Sequence, residues 1–427
     1  MSLVKTFASR SGRPFYGWAV VAVATLAAFF SGPGQSYVFS VFVDPIIRDT
    51  GLGRVEVSTL YALGTAVSAV MVVVVARLVD RFGARVMLAA IGIGLGAACF
   101  GMSFAAGPLL LFFGFAALRA LGQGSLPVTA NMLAARWFVK RRGRAVAVVA
   151  LGIAASNAVL PPATQALIGT FGWRGAYLAL GTLVVAVLVP LALLIVRDRP
   201  EDVGLYPDGA QAPPAEKPQA SDGAFDGSEE TGPRGLVMLS VDFWLLALPV
   251  AAAPFIVTAL VFHQISVLGE VGIEPATAAS AFVPFAVAAA ASTVVAGFLA
   301  DRFGPRTPLF ASLALLLAAL SVLGFAHSVA LVVLYAAALG AASGFQSVAS
   351  GATWAHFYGR EKLGRVQGPA TMVMISGAAV APLPLAAIYQ ASGSYALGLV
   401  VMGAIPLVCF VLALLFDPER AVRATTA

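Results

Sequence analysis

Residues 76–85 read Ala76-Arg77-Leu78-Val79-Asp80-Arg81-Phe82-Gly83-Ala84-Arg85, and residues 297–306 read Gly297-Phe298-Leu299-Ala300-Asp301-Arg302-Phe303-Gly304-Pro305-Arg306. Asp80-Arg81-Phe82-Gly83 thus returns 221 residues later as Asp301-Arg302-Phe303-Gly304. In each copy an apolar run ends in a carboxylate and an arginine, turns at a glycine and reaches a further arginine. A residue without Cβ suits a tight turn, and carboxylate–guanidinium bonds are strong where water is partly excluded. The same offset carries Asp49-Thr50-Gly51-Leu52 onto Glu270-Val271-Gly272-Ile273, Pro161 onto Pro382 and Gly172 onto Gly393. The chain is two versions of one unit.

What joins these landmarks is apolar. Of 427 residues, 60% are hydrophobic and 11% charged, with mean hydropathy +0.92. Soluble domains carry roughly 45–50% apolar and about 25% charged residues. A soluble enzyme, a disordered chain and a disulfide scaffold are excluded, which leaves a polytopic membrane protein. Twelve runs are long enough to span a bilayer: 15–42, 55–78, 86–106, 109–134, 145–169, 175–196, 241–268, 276–299, 307–327, 329–354, 366–391 and 394–416. The first is too long for a signal peptide and reads as a retained helix. Ten-residue alternation of the membrane-barrel kind is missing. Cys99 and Cys409 lie in apolar runs and form no metal or redox motif.

One gap is long. Residues 197–238 hold six prolines, six glycines, nine acidic and four basic residues, and read as a flexible linker. The expected organisation is a terminus at 1–14, six-helix bundles at 15–196 and 239–416, the linker at 197–238 and a tail at 417–427. With the N-terminus in the cytoplasm, 22 Lys and Arg fall on the cytoplasmic side and three, Arg48, Arg54 and Arg174, on the other. The positive-inside rule then puts both termini in the cytoplasm, in an inner or plasma membrane. The net charge of +6 is a topology signal and calls for no nucleic acid.

The two loops resemble the G-x-x-x-D-R-x-G-x-R signature of the major facilitator superfamily, with Ala76 where the family prefers glycine. Two further stretches are similar to monocarboxylate and oxalate/formate-type carriers: Trp137 to Ala145, which is rich in Lys and Arg, and Phe15-Tyr16-Gly17-Trp18. Gly172-Trp173-Arg174 and Arg199 to Leu205 also look like segments of bacterial members of that branch. The resemblance implies an all-α fold of twelve transmembrane helices in two pseudo-symmetric bundles. It further implies a secondary transporter working by alternating access, moving a small organic anion by symport, uniport or exchange. Two halves built as one repeat fit such a carrier. Asp80, Arg81, Gly83 and Arg85, with Gly297, Asp301, Arg302, Gly304 and Arg306, are then expected to latch the halves together in one state and release them in the other.

Arg119 is the one charged residue deep inside a span, and an ionisable group there is functional by default. The acids Asp44, Glu56, Asp242 and Glu270 all lie at helix ends. A substrate carboxylate is one candidate partner, a neighbouring helix's carbonyls the other. Helix 1 is broken at Ser31 to Tyr37, where Gln35 and Tyr37 offer neutral hydrogen bonds. Gln123, Asn157, Tyr335 and Gln346 complete the expected substrate-binding set. His263 joins it as a proton acceptor or anion guide. Helix 8 carries no charge before Asp301, whereas characterised monocarboxylate carriers place an arginine there. Protons are a candidate coupling ion, which without an acid in any span would ride on the substrate or on His263. Nucleotide loops, hydrolase triads and metal clusters are missing, so neither enzyme activity nor a cofactor is expected. The partners are a small molecule and the bilayer, and the protein is expected to act as a monomer. Two alternatives stand beside the anion carrier: an efflux carrier for amphipathic drugs, and a receptor or sensor on the same fold that has lost transport.

Overall fold

The computed structural model describes residues 15–210, 238, 240–358 and 363–416. Among these residues the chain is helical, without strands. The first half holds α1 (Gly17–Thr50), α2 (Arg54–Phe82), α3 (Ala84–Ser103) and α4 (Pro108–Trp137). Next comes a continuous helical stretch, Arg142–Ile195, of 54 residues. As one helix it would measure about 80 Å, far more than a hydrocarbon core of about 30 Å. Gly172, with φ 69° and ψ 172°, breaks it into α5 (142–171) and α6 (173–195). The second half holds α7 (Val241–Glu270), α8 (Pro275–Phe303), α9 (Arg306–Leu323), α10 (Val329–Tyr358), α11 (Val366–Ser392) and α12 (Ala396–Leu415). Twelve spans result, as expected from the apolar runs. The largest extension is in α1, which runs past Phe42 through Asp44 and Pro45 to Thr50.

The repeat is visible in the backbone. Gly51 and Gly272 have φ of 71° and 82°, Gly83 and Gly304 84° and 82°, Gly172 and Gly393 69° and 72°. Each pair is 221 residues apart and ends a helix in the left-handed half of φ space, where only glycine is unstrained. Acids cap matching corners. Asp49 pairs with Arg174 at the start of α6, and Glu270 accepts the backbone N–H of Tyr395 at 2.9 Å at the start of α12.

Within the first half α1 packs on α5, α2 on α4, and α3 on α6; in the second, α8 and α9 both pack on α10, and α7 lies against α11 and α12. The halves meet along α1 and α7, α2 and α11, and α5 and α8. Large apolar side chains such as Val70, Phe113, Leu151, Phe298 and Leu414 face outward. A hydrocarbon solvent makes that exposure free of cost while the helices satisfy their own backbone.

The stretch expected to open a flexible linker is in part ordered. Residues 197–210 lie against the first bundle, because polar groups rather than an apolar face hold them. Trp137 Nε1 donates to the Arg197 carbonyl at 2.8 Å, and the Asp198 carboxylate accepts the Arg85 N–H at 2.9 Å. Asp208 accepts the N–H groups of Val139, Lys140 and Arg141 at 3.0, 2.7 and 3.0 Å, where α5 begins. Its φ of 60° is one Asp tolerates. Residues 211–237 lie outside the described residues.

Desolvation alone would raise the Asp208 carboxyl, but the three N–H groups and the Arg141 charge outweigh it and hold the group below its ordinary range. Its contribution is therefore complete above the unfolded carboxylate pKa of about 3.9 and is lost as pH falls through the lower folded value. Asp208→Ala is expected to cost about 0.5–2 kcal/mol at neutral pH, the usual range for a lost cap. Thermal unfolding of parent and variant checks this, and the gap between them should close towards strongly acid pH.

Candidate functional site

The site begins with two irregular helices that touch. In α1, Gly32-Pro33-Gly34 forms a single 3-10 turn, since Pro33 offers no N–H to continue the ladder. In α4, Arg119–Ser125 widens into a π-helical turn, a feature that frequently marks functional sites. The two defects meet backbone to backbone. A Cβ on Gly122 would lie 2.8 Å from the Gly34 Cα and 2.8 Å from the Ser31 carbonyl oxygen. A Cβ on Gly34 would lie 2.9 Å from Gly122 Cα and 2.9 Å from Gln123 N. Only glycine on both sides permits this crossing.

The wide turn carries Arg119 into the bundle, 3% exposed. Its Nε donates to Thr65 Oγ1 at 3.0 Å and its Nη1 to the Gly34 carbonyl at 3.1 Å, the oxygen that the α1 break leaves out of the ladder. The guanidinium sits 4.7 Å from the centre of the Tyr61 ring, a cation–π contact. The described residues form three ion pairs: Arg54–Asp44, Arg136–Asp80 and Arg174–Asp49. None reaches Arg119, whose charge is met by neutral dipoles and a ring.

Above Arg119 the bundles are closed. Tyr61 lies 4.5 Å from Phe262, and Tyr37 lies 6.4 Å from Phe282, ring centre to ring centre. Further out, Arg54 donates to Asp44 at 2.8 Å and to Ser266 Oγ at 2.7 Å, with Tyr389 4.9 Å below its guanidinium. Among the described residues, every side-chain hydrogen bond and aromatic contact between the halves lies in this half of the molecule, away from the Asp-Arg-Phe-Gly loops.

The remaining expected residues do not converge on Arg119. Gln35 donates to Ser31 Oγ at 3.3 Å, and Tyr37 to Ser156 Oγ at 2.9 Å. Gln123 is exposed, and Asn157 is half-buried with its Oδ1 unpartnered among the described residues. Tyr335 donates to Gln264 Oε1 at 3.5 Å. His263 is wholly buried, with Nε2 3.0 Å from the Pro382 carbonyl and Nδ1 3.3 Å from the Tyr395 hydroxyl. Both ring nitrogens are engaged by neighbouring groups. Gln346 lines a cavity of about 310 Å³ in the second bundle, with Pro254, Thr258, Ser343, Ser347 and Met374. Arg119 is not in that lining.

Sequence reasoning missed the ring around Arg119. Tyr61, Thr65 and Ser68 are buried and spaced four and three residues apart on α2, the spacing of one helix face; that polar stripe in an apolar helix was the available signal. The gate formed by Asp44, Arg54 and Ser266 was also missed, because it joins residues 222 and 212 positions apart.

The loop residues hold each bundle together separately in this conformation. Asp80 accepts from Arg136 at 2.7 Å, and the Arg85 guanidinium donates to the Leu193 carbonyl at 2.6 Å. Arg81 and Arg302 lie over the neighbouring Phe82 and Phe303 rings. Arg306 donates to the Phe416 carbonyl at 2.8 Å and lies 5.3 Å from the Phe357 ring centre. Position 357, which matches Arg136, is a phenylalanine, and Asp301 has no ion pair among the described residues. Gly83 and Gly304 make the two turns, while Gly297 faces open space. No latch contact joins the halves among the described residues: the bundles are closed at the opposite end.

The sequence profile of the Major Facilitator Superfamily matches residues 24–268 and 250–427. The chain belongs to that superfamily of multi-pass membrane transporters. It resembles the monocarboxylate-transporter branch. Identity to human Monocarboxylate transporter 11 is 31% over 200 residues, covering 43% of this chain and 40% of the relative. Identity to Monocarboxylate transporter 1 of Rattus norvegicus is 29% over 181 residues, covering 42% and 36%. The chain thus spans about two fifths of the length of these relatives. An uncharacterized 38 kDa protein of Thermoproteus tenax is 27% identical over 304 residues, 70% of either chain. Among solved structures, a bacterial homologue of the human lysosomal transporter Spinster, inward-facing and unoccupied, superposes with TM-score 0.69 at 18% identity over 97% of this chain and 95% of its own. The nucleoside transporter NupG does so with TM-score 0.70 at 11% identity over 93% and 100%. At such identities these two likenesses show the fold alone.

Proposed function

We propose that this transporter carries a small organic anion across the cytoplasmic membrane by alternating access, with Arg119 as the charge that recognises it. The observation that carries this reading is a buried guanidinium with no carboxylate beside it among the described residues. A lone cation in a membrane interior is costly, and a ligand carboxylate supplies the missing charge in a geometry the planar fork suits. The likeness to monocarboxylate transporters supports the same substrate class.

The excess of Lys and Arg on the loop side supports cytoplasmic termini. On that orientation the Arg54–Asp44 gate is external, and the conformation described here faces the cytoplasm. The bundles 15–196 and 239–416 are the two moving bodies, joined through 197–238, and a monomer suffices. With His263 occupied in packing, a coupled proton travels on the substrate, and symport, uniport and exchange are the modes to separate.

Purified protein should be screened by thermal unfolding against acetate, pyruvate and oxalate, against neutral polar compounds, and against amphipathic cationic drugs. A ligand at 100 times its dissociation constant stabilises by about 2.7 kcal/mol. The expected result is stabilisation by carboxylates alone. Stabilisation by the drugs alone would replace this reading with that of an efflux carrier.

A further inference from the structure

The cavity of the second bundle is bordered by a side chain with a buried acceptor, and the orientation of that side chain can be fixed from the backbone. In a helix the carbonyl of Val250 would accept the N–H of residue 254, but residue 254 is proline and has none. Gln346 of α10 fills the vacancy: its Nε2 donates to the Val250 carbonyl. A carbonyl can only be met by the amide's nitrogen, so Oε1 is the end left over. Gln346 is 5% exposed, and Oε1 has no hydrogen-bond partner among the described residues. The same side chain lines the cavity of about 310 Å³, whose other walls combine Thr258, Ser343 and Ser347 with Val257 and Met374. That volume falls at the small end of ligand pockets of about 300–1,000 Å³, and an unmet buried acceptor is a standing penalty.

We infer that this cavity is a second subsite, taking a neutral hydrogen-bond-donating group of the transported molecule, a hydroxyl set apart from its carboxylate by an apolar stem, with Gln346 Oε1 as acceptor. Val257 and Met374 flank the stem and the serine and threonine hydroxyls offer further bonds. The inference rests on the anion reading only for the far end of the ligand; the donor subsite is defined by α7, α10 and α11 of the second bundle. It predicts a preference for molecules larger than the simplest carboxylates.

The test uses matched probes: hexanoate and 6-hydroxyhexanoate, with hexanamide and 6-hydroxyhexanamide as their uncharged counterparts. Dissociation constants are measured by calorimetry on the purified full chain. The terminal hydroxyl is expected to improve affinity about tenfold within each pair. Gln346→Leu should erase that gain, so that each hydroxylated probe binds no better than its unhydroxylated partner. Because this substitution also strips the Val250 carbonyl of its donor, the companion variant is Pro254→Ala with Gln346→Leu, in which residue 254 regains the N–H that satisfies Val250. Erasure of the gain in the companion variant supports the subsite. A hydroxyl gain that survives there, or no hydroxyl gain in the parent, overturns it. Equal affinity of the charged and uncharged pairs, with the hydroxyl gain intact, would sink the anion reading and leave the subsite standing.

Discussion

Arg119→Gln is expected to weaken carboxylate binding by roughly 10- to 150-fold while the protein still inserts and folds. The range follows from losing a charge-assisted hydrogen bond of about 1.5–3 kcal/mol. The surroundings explain why folding should survive. Arg119 is held by Thr65 Oγ1 and the Gly34 carbonyl, both neutral, and a glutamine amide can still donate to one of them. Removing the cation also removes the cost of burying it without a counter-charge. Arg119→Lys keeps the charge and loses the planar fork, so it should fall between parent and glutamine. Calorimetric titration gives the dissociation constants, and thermal unfolding without ligand gives the stability. Unchanged affinity combined with a lowered melting temperature would make Arg119 a purely structural brace between α1, α2 and α4.

Gly122→Val should leave little folded protein. The new Cβ would be 2.8 Å from both the Gly34 Cα and the Ser31 carbonyl oxygen. Both neighbours are backbone, so no side-chain rotation relieves the overlap. Overpacking a tight site costs typically ~1–3 kcal/mol, and here a further loss follows, since moving α1 away also separates Gly34 from Arg119. Gly122→Ala should fold with a lowered melting temperature. Gly101→Ala, where nothing lies within 4 Å, should match the parent. Equal melting temperatures for Gly122→Ala and Gly101→Ala would mean that the two helices are not in contact.

How much of this was legible beforehand differs from residue to residue. Apolar length and charge placement mark the spans because the bilayer imposes both. Arg119 stands out because a charge in an apolar run is conspicuous, and the break at Ser31 to Tyr37 because Gly and Pro act locally. The ring of Tyr61 and Thr65 required knowing that α2 packs on α4, although its helical spacing was in plain view. The bond from Gln346 to Val250 was half legible: Pro254 announces a freed carbonyl four residues earlier, but nothing in the chain says which distant helix answers it. Order in 197–210 escaped because one carboxylate binding three N–H groups leaves no compositional trace. The loop arginines read as a bridge between halves, and a sequence cannot say which of two states a bridge is drawn in.

The paired left-handed glycines have a bearing on how such a chain can change over evolutionary time. Gly51 to Gly83 and Gly272 to Gly304 are each 32 residues; Gly83 to Gly172 and Gly304 to Gly393 are each 89. Between these marks the two copies have the same length, neither longer than the other by a single net residue. One inserted residue would turn everything beyond it by about 100°, swinging buried faces towards lipid and pushing the turn off its depth in a slab of fixed thickness. Substitution meets no such barrier: Arg119 in one copy stands where the other has Gly340. The membrane acts as a length gauge, so the two copies could diverge in chemistry only by exchanging side chains on a scaffold of unvarying count.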